Sequence, residues 1–426
     1  HPVLLECKTF RIRGHEEASG VKYVPKKLLD SWKSKDPIDN FEKFLLKERL
    51  LNSKLINNFR TDIQKEINQA ISIAFEEEEI KADVQTELNS VFKESNFILS
   101  KTSNNTQNMR FIDAISSGLK EGMHKYDKLI FMGQDIADYG GAFKVSEGFS
   151  GVFGKDRVRN TPICESVILS MALGLSVGGY KSIVEMQFAD FVSSGFNAVV
   201  NNLAKSYYRW GQSSDVVVRM PCGAGVGAGP FHSQTNEAWF THTPGLKVVY
   251  PAFPSDAKGL LLTSIEDPNP IIFFEHKALY RTISEEVPNG YYTIPFGEAK
   301  LLHSGTDLSI ITYGMGVHWA LDFVKNNSDI SIDILDLRTL VPLDRDAIEK
   351  TTSKTGKVLI LHEDSNIGGF GSDLSSLIAQ DFFEYLDAPV MRVSSLDTPV
   401  PFSASLEKKY LAKSRLNDKI IELYNY

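Results

Sequence analysis

The sequence predicts an α/β fold: a parallel-sheet domain, then a smaller α/β domain, behind a mostly helical tail. Three observations predict it. Short apolar, β-branched runs alternate with longer helix-like segments from about residue 109. A second set of the same kind starts near residue 295. The first hundred residues carry helical spacing instead. Alternation of strands and helices implies a parallel sheet covered on both faces. A chain of 426 residues has room for two or three domains, each with its own core.

The expected divisions are a tail over 1–99, a linker over 100–108, a larger α/β domain over 109–285 and a smaller one over 295–426. The chain opens His1-Pro2-Val3-Leu4-Leu5-Glu6 without an initiator Met. Val3–Leu5 reads as a buried strand, and the chain as a fragment, a processed product or one end of a longer polypeptide. Pro25 lies near a helix start and Asp36-Pro37-Ile38 resembles another, since proline is tolerated in a first turn. From Leu55 to Phe92 apolar residues recur at helical spacing, through Ile63, Ile67, Ile71 and Ala74. The run Glu76–Glu79 reads as a solvated helix face. Residues 100–108 contain no apolar side chain, hence the linker.

Five strands are expected in the larger domain: Leu129–Met132, Ser182–Met186, Val216–Val218, Lys247–Tyr250 and Ile271–Phe274. Helices are expected at Glu165–Val177 and Phe196–Arg209. Val287–Pro295 is the expected connector. In the smaller domain Leu308–Thr312, Ile332–Leu335, Val358–Leu361 and Val390–Val393 read as strands. There is no internal repeat.

Composition narrows the function. A hydrophobic share of 42% and a charged share of 23% are those of a globular protein. The net charge of -8, with no Lys/Arg stripe, argues against a nucleic-acid partner. No apolar run of membrane-spanning length occurs, so no membrane partner is expected. Cys7, Cys164 and Cys222 are odd in number and far apart. They are expected as free thiols in a reducing compartment, the cytoplasm.

Three segments could carry chemistry. Thr161-Pro162-Ile163-Cys164-Glu165 puts a carboxylate where a loop turns into an apolar helix. The helix dipole there favours the charge, while apolar neighbours favour the neutral acid. Glu165 is then either a favourable first-turn acid or a catalytic carboxyl. His232 follows the glycine-rich stretch Gly223–Pro230, which lets backbone approach a ligand closely but lacks the spacing of a phosphate-binding fingerprint. It is either an exposed loop histidine or a proton-transfer group. Thr9–His15 gathers Arg11, Arg13 and His15 on one loop, either a solvated basic loop or a site for an anionic substrate or phosphate.

Taken together, these segments resemble the decarboxylating component of the 2-oxo acid dehydrogenase complexes, a branch of the transketolase-like thiamine diphosphate enzymes. From Met109 on, the chain looks like the β subunit. The matching motifs include Gly133-Gln134-Asp135, Arg157–Glu165, Glu185–Phe191, His232-Ser233-Gln234, Pro244–Val249 and Gly368–Gly371. Residues 1 to about 95 look like the tail of the α subunit, through Leu5-Glu6, Thr9-Phe10-Arg11, Gly14-His15, Trp32 and Asp36-Pro37. The two subunits thus look fused.

The resemblance implies a pyrimidine-binding domain followed by a transketolase C-terminal domain. Glu165 would bond the aminopyrimidine nitrogen of thiamine diphosphate, Phe188 would stack on that ring, and Ile163 would touch the cofactor. His232 and His15 would serve catalysis, with Arg11 and Gln187 on the substrate side. The Gly-Asp-Gly motif that holds Mg²⁺ and the diphosphate is absent, so the Mg²⁺ site is expected upstream of His1. A monovalent cation, K⁺, is expected near Asp267 and Asn269. The loop position where mammalian relatives carry a phosphorylated Ser is Glu16 here, so no such switch is expected. The implied partners are a lipoylated dihydrolipoyl acyltransferase and a second copy of the chain. A branched-chain 2-oxo acid is favoured over pyruvate from Ile265-Glu266-Asp267, Phe273-Phe274-Glu275 and Leu279-Tyr280-Arg281. Ketol transfer between sugars, and a non-catalytic assembly module, are the competing readings.

Overall fold

A computed structural model describes residues 3–16, 18–95 and 100–426. The chain forms two compact units, His1–Asp83 and Val84–Tyr426.

The first unit is helical, with helices at Lys26–Lys33, Pro37–Lys47 and Ser53–Glu76. Each start has a local cause. Pro25 precedes the first helix. Asp36 caps the second, its Oδ1 accepting the Ile38 N–H at 2.9 Å and the Asp39 N–H at 3.2 Å. Asn52 Oδ1 caps the third through the Leu55 N–H at 2.9 Å. That helix stops at Glu76 instead of running on to Phe92. Glu76–Glu79 put four carboxylates at its C-terminal end, where the dipole disfavours negative charge. The acidic run is therefore exposed chain beyond the helix more than a helix face. The expected strand at Val3–Leu5 does not form. These residues are exposed and pair with no strand among the described residues; His1 and Pro2 lie outside them.

Among the described residues the second unit holds three sheets. Its strands are β1 (Thr106–Arg110), β2 (Leu129–Gly133), β3 (Val158–Asn160), β4 (Lys181–Glu185), β5 (Val216–Cys222), β6 (Lys247–Val249), β7 (Ile271–His276), β8 (Ser284–Pro288), β9 (Lys300–His303), β10 (Leu308–Thr312), β11 (Ile332–Asp336), β12 (Thr339–Val341), β13 (Val358–Ser365) and β14 (Met391–Ser395). The seven-stranded sheet has the order β12-β6-β7-β5-β4-β2-β3, parallel except where β12 meets β6. The five-stranded sheet has the order β14-β13-β10-β11-β9, with only β9 antiparallel. The polar stretch 100–108 ends in β1, which pairs antiparallel with β8, and β8 takes up the start of the expected connector.

Strands β2, β4, β5, β7, β10 and β13 sit where β-branched and apolar runs placed them, nearly all buried. The helix Glu165–Val177 has the expected bounds. The single helix expected over Phe196–Arg209 is instead a π-helical stretch, Ala198–Leu203, and a short helix, Ser206–Trp210. Ser206 Oγ donates to the Asn202 carbonyl at 2.5 Å, a back-bond that competes with regular helix bonding. One apolar core runs from Leu169 and Val218 through Tyr250 and Tyr313 to Leu374, so both α/β layers close over the same side chains.

Sheet order places the site. From β2 the chain moves outward to β3, then returns across β2 to β4. This reversal makes β2/β4 a topological switch point, and ligands bind outside the carboxyl ends of strands at such points. All three cysteines are free. No helix among the described residues is long and apolar enough to cross a membrane.

Candidate active site

The loops leaving β2, β3 and β4 meet at the switch point. Gln134 and Asp135 follow β2, Thr161–Cys164 follow β3, and Met186–Phe188 follow β4. Asp135 has φ +58°, a left-handed turn that aspartate tolerates better than most residues. Gln187 Nε2 donates to Asp135 Oδ2 at 3.5 Å and so links the β4 and β2 loops.

Glu165 is the first residue of its helix and only 9% exposed. Gln134 Nε2 donates to its Oε1 at 3.0 Å, and Ser194 Oγ donates to its Oε2 at 3.0 Å. A buried carboxyl held from both sides is fixed in orientation, which suits directed proton sharing. A Cβ on Gly195 would lie 2.4 Å from Leu169 Cδ1 and 3.2 Å from the Glu165 carbonyl carbon, so the segment with Ser194 approaches only without a side chain there. Cys164 and Thr161 are half-buried nearby, while Ile163 is exposed.

An aromatic wall stands on the β4 side. The half-buried Phe188 meets Phe143 edge-on at 5.6 Å, Phe191 at 5.5 Å and His232 at 4.7 Å. His232 also meets Phe191 at 5.4 Å. The structure thus brings Phe188 and His232 together. Arg11 and His15 belong to the first unit, where Arg11 Nη1 donates to His15 Nδ1 at 3.4 Å and both side chains are exposed.

Beneath the wall lie charges that the sequence did not single out. Asp190 Oδ1 accepts the Gln234 N–H at 3.3 Å, while its Oδ2 is buried without a hydrogen-bond partner. Burial pushes its carboxyl up, against the backbone amides and the charges of Lys277 and His232. Lys277 Nζ lies 5.6 Å over the Phe188 ring and donates to the Gly223 carbonyl at 2.7 Å. Burial pulls this ammonium below the usual lysine range. Their signal in the sequence was only adjacency, Asp190 to Phe188 and Lys277 to the buried strand β7.

Deeper still, Arg219 is fully buried on β5. Its Nε and Nη2 donate to both Glu275 oxygens at 2.7 Å, and Nη1 donates to Glu185 Oε2 at 2.5 Å. Tyr280 donates to Glu275 Oε2 at 2.7 Å. Burial opposes the guanidinium charge, but Glu275 and Glu185 outweigh it and raise its pKa. This network fixes the carboxyl end of β4, from which Gln187 and Phe188 project.

The glycine-rich stretch, expected only to allow a close backbone approach, takes its partners from within the chain. Its amides are held by carboxylates of the smaller domain: Ala224 N–H donates to Glu363 Oε1 at 2.6 Å, and Gly225 N–H donates to Glu407 Oε1 at 2.9 Å. Asp267 is likewise engaged. Its Oδ1 accepts from the Asn269 backbone and side chain, and Lys247 Nζ donates to Oδ2 at 2.5 Å. No group of three or more His, Cys, Asp or Glu among the described residues could hold a metal ion. A cavity of about 670 Å³ opens at the other end of β4 and β5. There Lys125, Lys181 and Lys93 bond Glu266, Asp215 and Ser213, and Lys128 Nζ lies 5.6 Å over the Tyr180 ring.

Comparison with known proteins identifies the family. The profile described as "Dehydrogenase E1 component" matches residues 1–83, "Transketolase, pyrimidine binding domain" matches 107–282, and "Transketolase, C-terminal domain" matches 297–415. The chain is 41% identical to the 2-oxoisovalerate dehydrogenase subunit beta of Bacillus subtilis over 310 residues, 71% of this chain and 94% of the relative. It is 40% identical to the pyruvate dehydrogenase E1 component subunit beta of Rickettsia felis over 300 residues, 70% of this chain and 92% of the relative. A solved structure described as "Split gene transketolase, inactive beta4 tetramer" has the same fold, with a TM-score of 0.59 at 21% identity, covering 74% of this chain and 98% of that one. The chain therefore belongs to the E1 components of the 2-oxo acid dehydrogenases, with an E1-type segment followed by a body of the β-subunit kind.

Proposed function

We propose that this chain carries out the thiamine diphosphate-dependent oxidative decarboxylation of a 2-oxo acid and passes the acyl group to a lipoyl group. The observation that carries this reading is Glu165, buried at the switch point between Gln134 and Ser194. The carboxyl follows β3 and the aromatic cluster around Phe188 follows β4, in loops that leave the same edge of one sheet, and a carboxyl with aromatic rings suits a flat heteroaromatic ring with a basic nitrogen. The cofactor, when bound, would supply the nucleophilic carbon and the electron sink that decarboxylation needs.

The chain's own residues do the rest. Glu165 shares a proton with the ring nitrogen, and Gln134 and Ser194 hold both of its oxygens against rotation. Phe188 packs on the ring and Ile163 borders it. His232 stands edge-on to Phe188 and Phe191, and no hydrogen bond among the described residues engages its ring nitrogens. It is free to move a proton at the substrate or during acyl transfer. Gln187 lines the substrate side, and the resemblance assigns Arg11 to the substrate and His15 to catalysis.

Mg²⁺ and the diphosphate are assigned to a segment carrying the Gly-Asp-Gly pattern, which this sequence lacks. A monovalent cation such as K⁺ fits less well at Asp267 and Asn269, because the Lys247 ammonium already stands on that carboxylate. The partners are a lipoylated dihydrolipoyl acyltransferase and a second copy of the chain. Val167, Met171 and Val177 leave an apolar face exposed on the helix that begins with Glu165, and this supports self-association. A branched-chain 2-oxo acid is the preferred substrate, in keeping with the name of the Bacillus subtilis relative. A cytoplasmic setting suits three free thiols.

The test is turnover of 3-methyl-2-oxobutanoate and of pyruvate, by the chain assembled with a diphosphate-binding part. Faster use of 3-methyl-2-oxobutanoate is expected. Pyruvate turnover far above it would overturn the substrate, and absence of CO₂ release from either would overturn the reaction.

A further inference from the structure

The stretch Gly223–Gly229 alternates in hand. Gly223, Gly225, Gly227 and Gly229 have φ of +91°, +86°, +71° and +70°, with ordinary residues between them. Alternating hands turn successive amides toward one side, and such a nest binds anions. In this chain the anions are carboxylates of the smaller domain. Glu363 Oε1 accepts the Ala224 N–H at 2.6 Å. Glu407 accepts the Gly225 N–H at 2.9 Å on Oε1 and the Gly227 N–H at 3.3 Å on Oε1 and 3.2 Å on Oε2. Both carboxylates are 5% exposed, so no external phosphate competes for these amides without displacing them.

The surroundings are built for this contact. The ring of His276 fills the space where Gly223 would carry a Cβ, and Phe402 fills that of Gly229. His276 Nδ1 accepts the Ala278 N–H at 3.3 Å, so its Nε2–H donates to Glu363 Oε2 at 2.7 Å. Burial pushes the Glu363 carboxyl up, but the His276 imidazole and the Ala224 amide hold it below the usual range. The loop then closes on itself. Gly223 N–H donates to the Gln234 carbonyl at 3.3 Å, and Gln234 Nε2 donates to the Pro230 carbonyl at 3.0 Å. His232 lies between those two anchors.

We propose that Glu363 and Glu407 are positioning residues for His232: gripping the nest from the smaller domain, they set the imidazole against Phe188. This rests on the reading of His232 given above. It adds a task for the smaller domain, which contributes no side chain to the Gln134–Glu165–Ser194 cluster.

The experiment compares the full chain with Glu407→Ala and Glu407→Gln by hydrogen exchange of the peptide spanning 223–231, and by steady-state decarboxylation with the diphosphate-binding part supplied. Exchange in Glu407→Ala should rise by about tenfold or more, from loss of charge-assisted bonds. Its kcat should fall roughly tenfold with KM within about twofold, since the substrate still binds but the proton-transfer group is misplaced. Glu407→Gln keeps one accepting oxygen and the side-chain volume, so it should fall between the other two. Unchanged exchange in both variants would overturn the proposal, as would a raised KM with unchanged kcat. Should the parent release no CO₂ at all, the exchange result alone decides the grip, and only the assigned reaction falls.

Discussion

Gln134 on the β2 loop donates to Glu165 Oε1 at 3.0 Å, across a sequence separation of 31 residues. The contact exists because β2 and β3 are parallel neighbours whose carboxyl ends open on the same side. A carboxamide from one loop thereby orients a carboxyl at the start of the helix after the next strand. That geometry leads to the first expectation.

Glu165→Gln keeps the volume and removes the ionisable proton. Turnover of the 2-oxo acid is expected to fall by about 10²-fold or more, as for loss of a positioned acid or base. Gln134→Ala should cost less, because Ser194 still holds Oε2. Steady-state rates of both variants check this. Equal rates for Glu165→Gln and the parent would remove Glu165 from the chemistry.

His232→Gln should slow acyl transfer to a lipoyl acceptor more than it slows CO₂ release into an artificial electron acceptor. Both assays run on one preparation. An equal loss in the two would place the histidine at a step common to them.

Arg219→Met removes the cation between two buried carboxylates. Breaking such a pair on one side costs about 3–5 kcal/mol, because the partner charge is left uncompensated. Here Glu185 and Glu275 would both be stranded, at 2% and 0% exposure. Urea unfolding of the variant should show an earlier midpoint. An unshifted midpoint would mean that water or a rearranged Tyr280 takes over.

His362 is fully buried, and neither ring nitrogen has a hydrogen-bond partner. Burial lowers its pKa from 6.5 to about 4, helped by the charge of Arg392. Between these values the unfolded chain takes up a proton that the folded chain refuses. Stability from this group is therefore full above pH 6.5 and is lost as pH falls toward 4, on the order of 3 kcal/mol. The difference in unfolding free energy between parent and His362→Leu should change across that window and level off below it. A constant difference would show that the imidazole is protonated in place.

How legible was this in the sequence? The helix Glu165–Val177 was readable to the residue because an acidic first turn opens a continuous apolar run. Strands β2 and β10 were readable because burial on both faces demands unbroken apolar runs. Strand β12 was not: three residues carry no periodicity, and it exists only because β6 has a free edge. The expected Val3–Leu5 strand failed for the converse reason, an apolar run without a partner strand among the described residues. At the site, Glu165, Phe188 and His232 were proposed from motifs, and the structure adds the contact between Phe188 and His232 and the bonds of Gln134 and Ser194 to Glu165. Ser194, Asp190 and Lys277 were missed because their significance lies in contacts across the fold. Glu407 stands 182 residues from the Gly225 amide it holds, a separation that no local pattern encodes.

The antiparallel pairing of β12 with β6 has a practical consequence. Thr339–Val341 lies well inside the second α/β layer in sequence, yet it forms the rim of the first sheet. Truncating the chain near residue 295 would strip that rim and leave β6 with bare amides and carbonyls, a template for unwanted pairing between molecules. The break between the two matched profiles, after residue 282 and before 297, is a poor place to cut for expression. A shortened version ending there should be lost to aggregates, whereas one carried through Val341 would retain its guard strand.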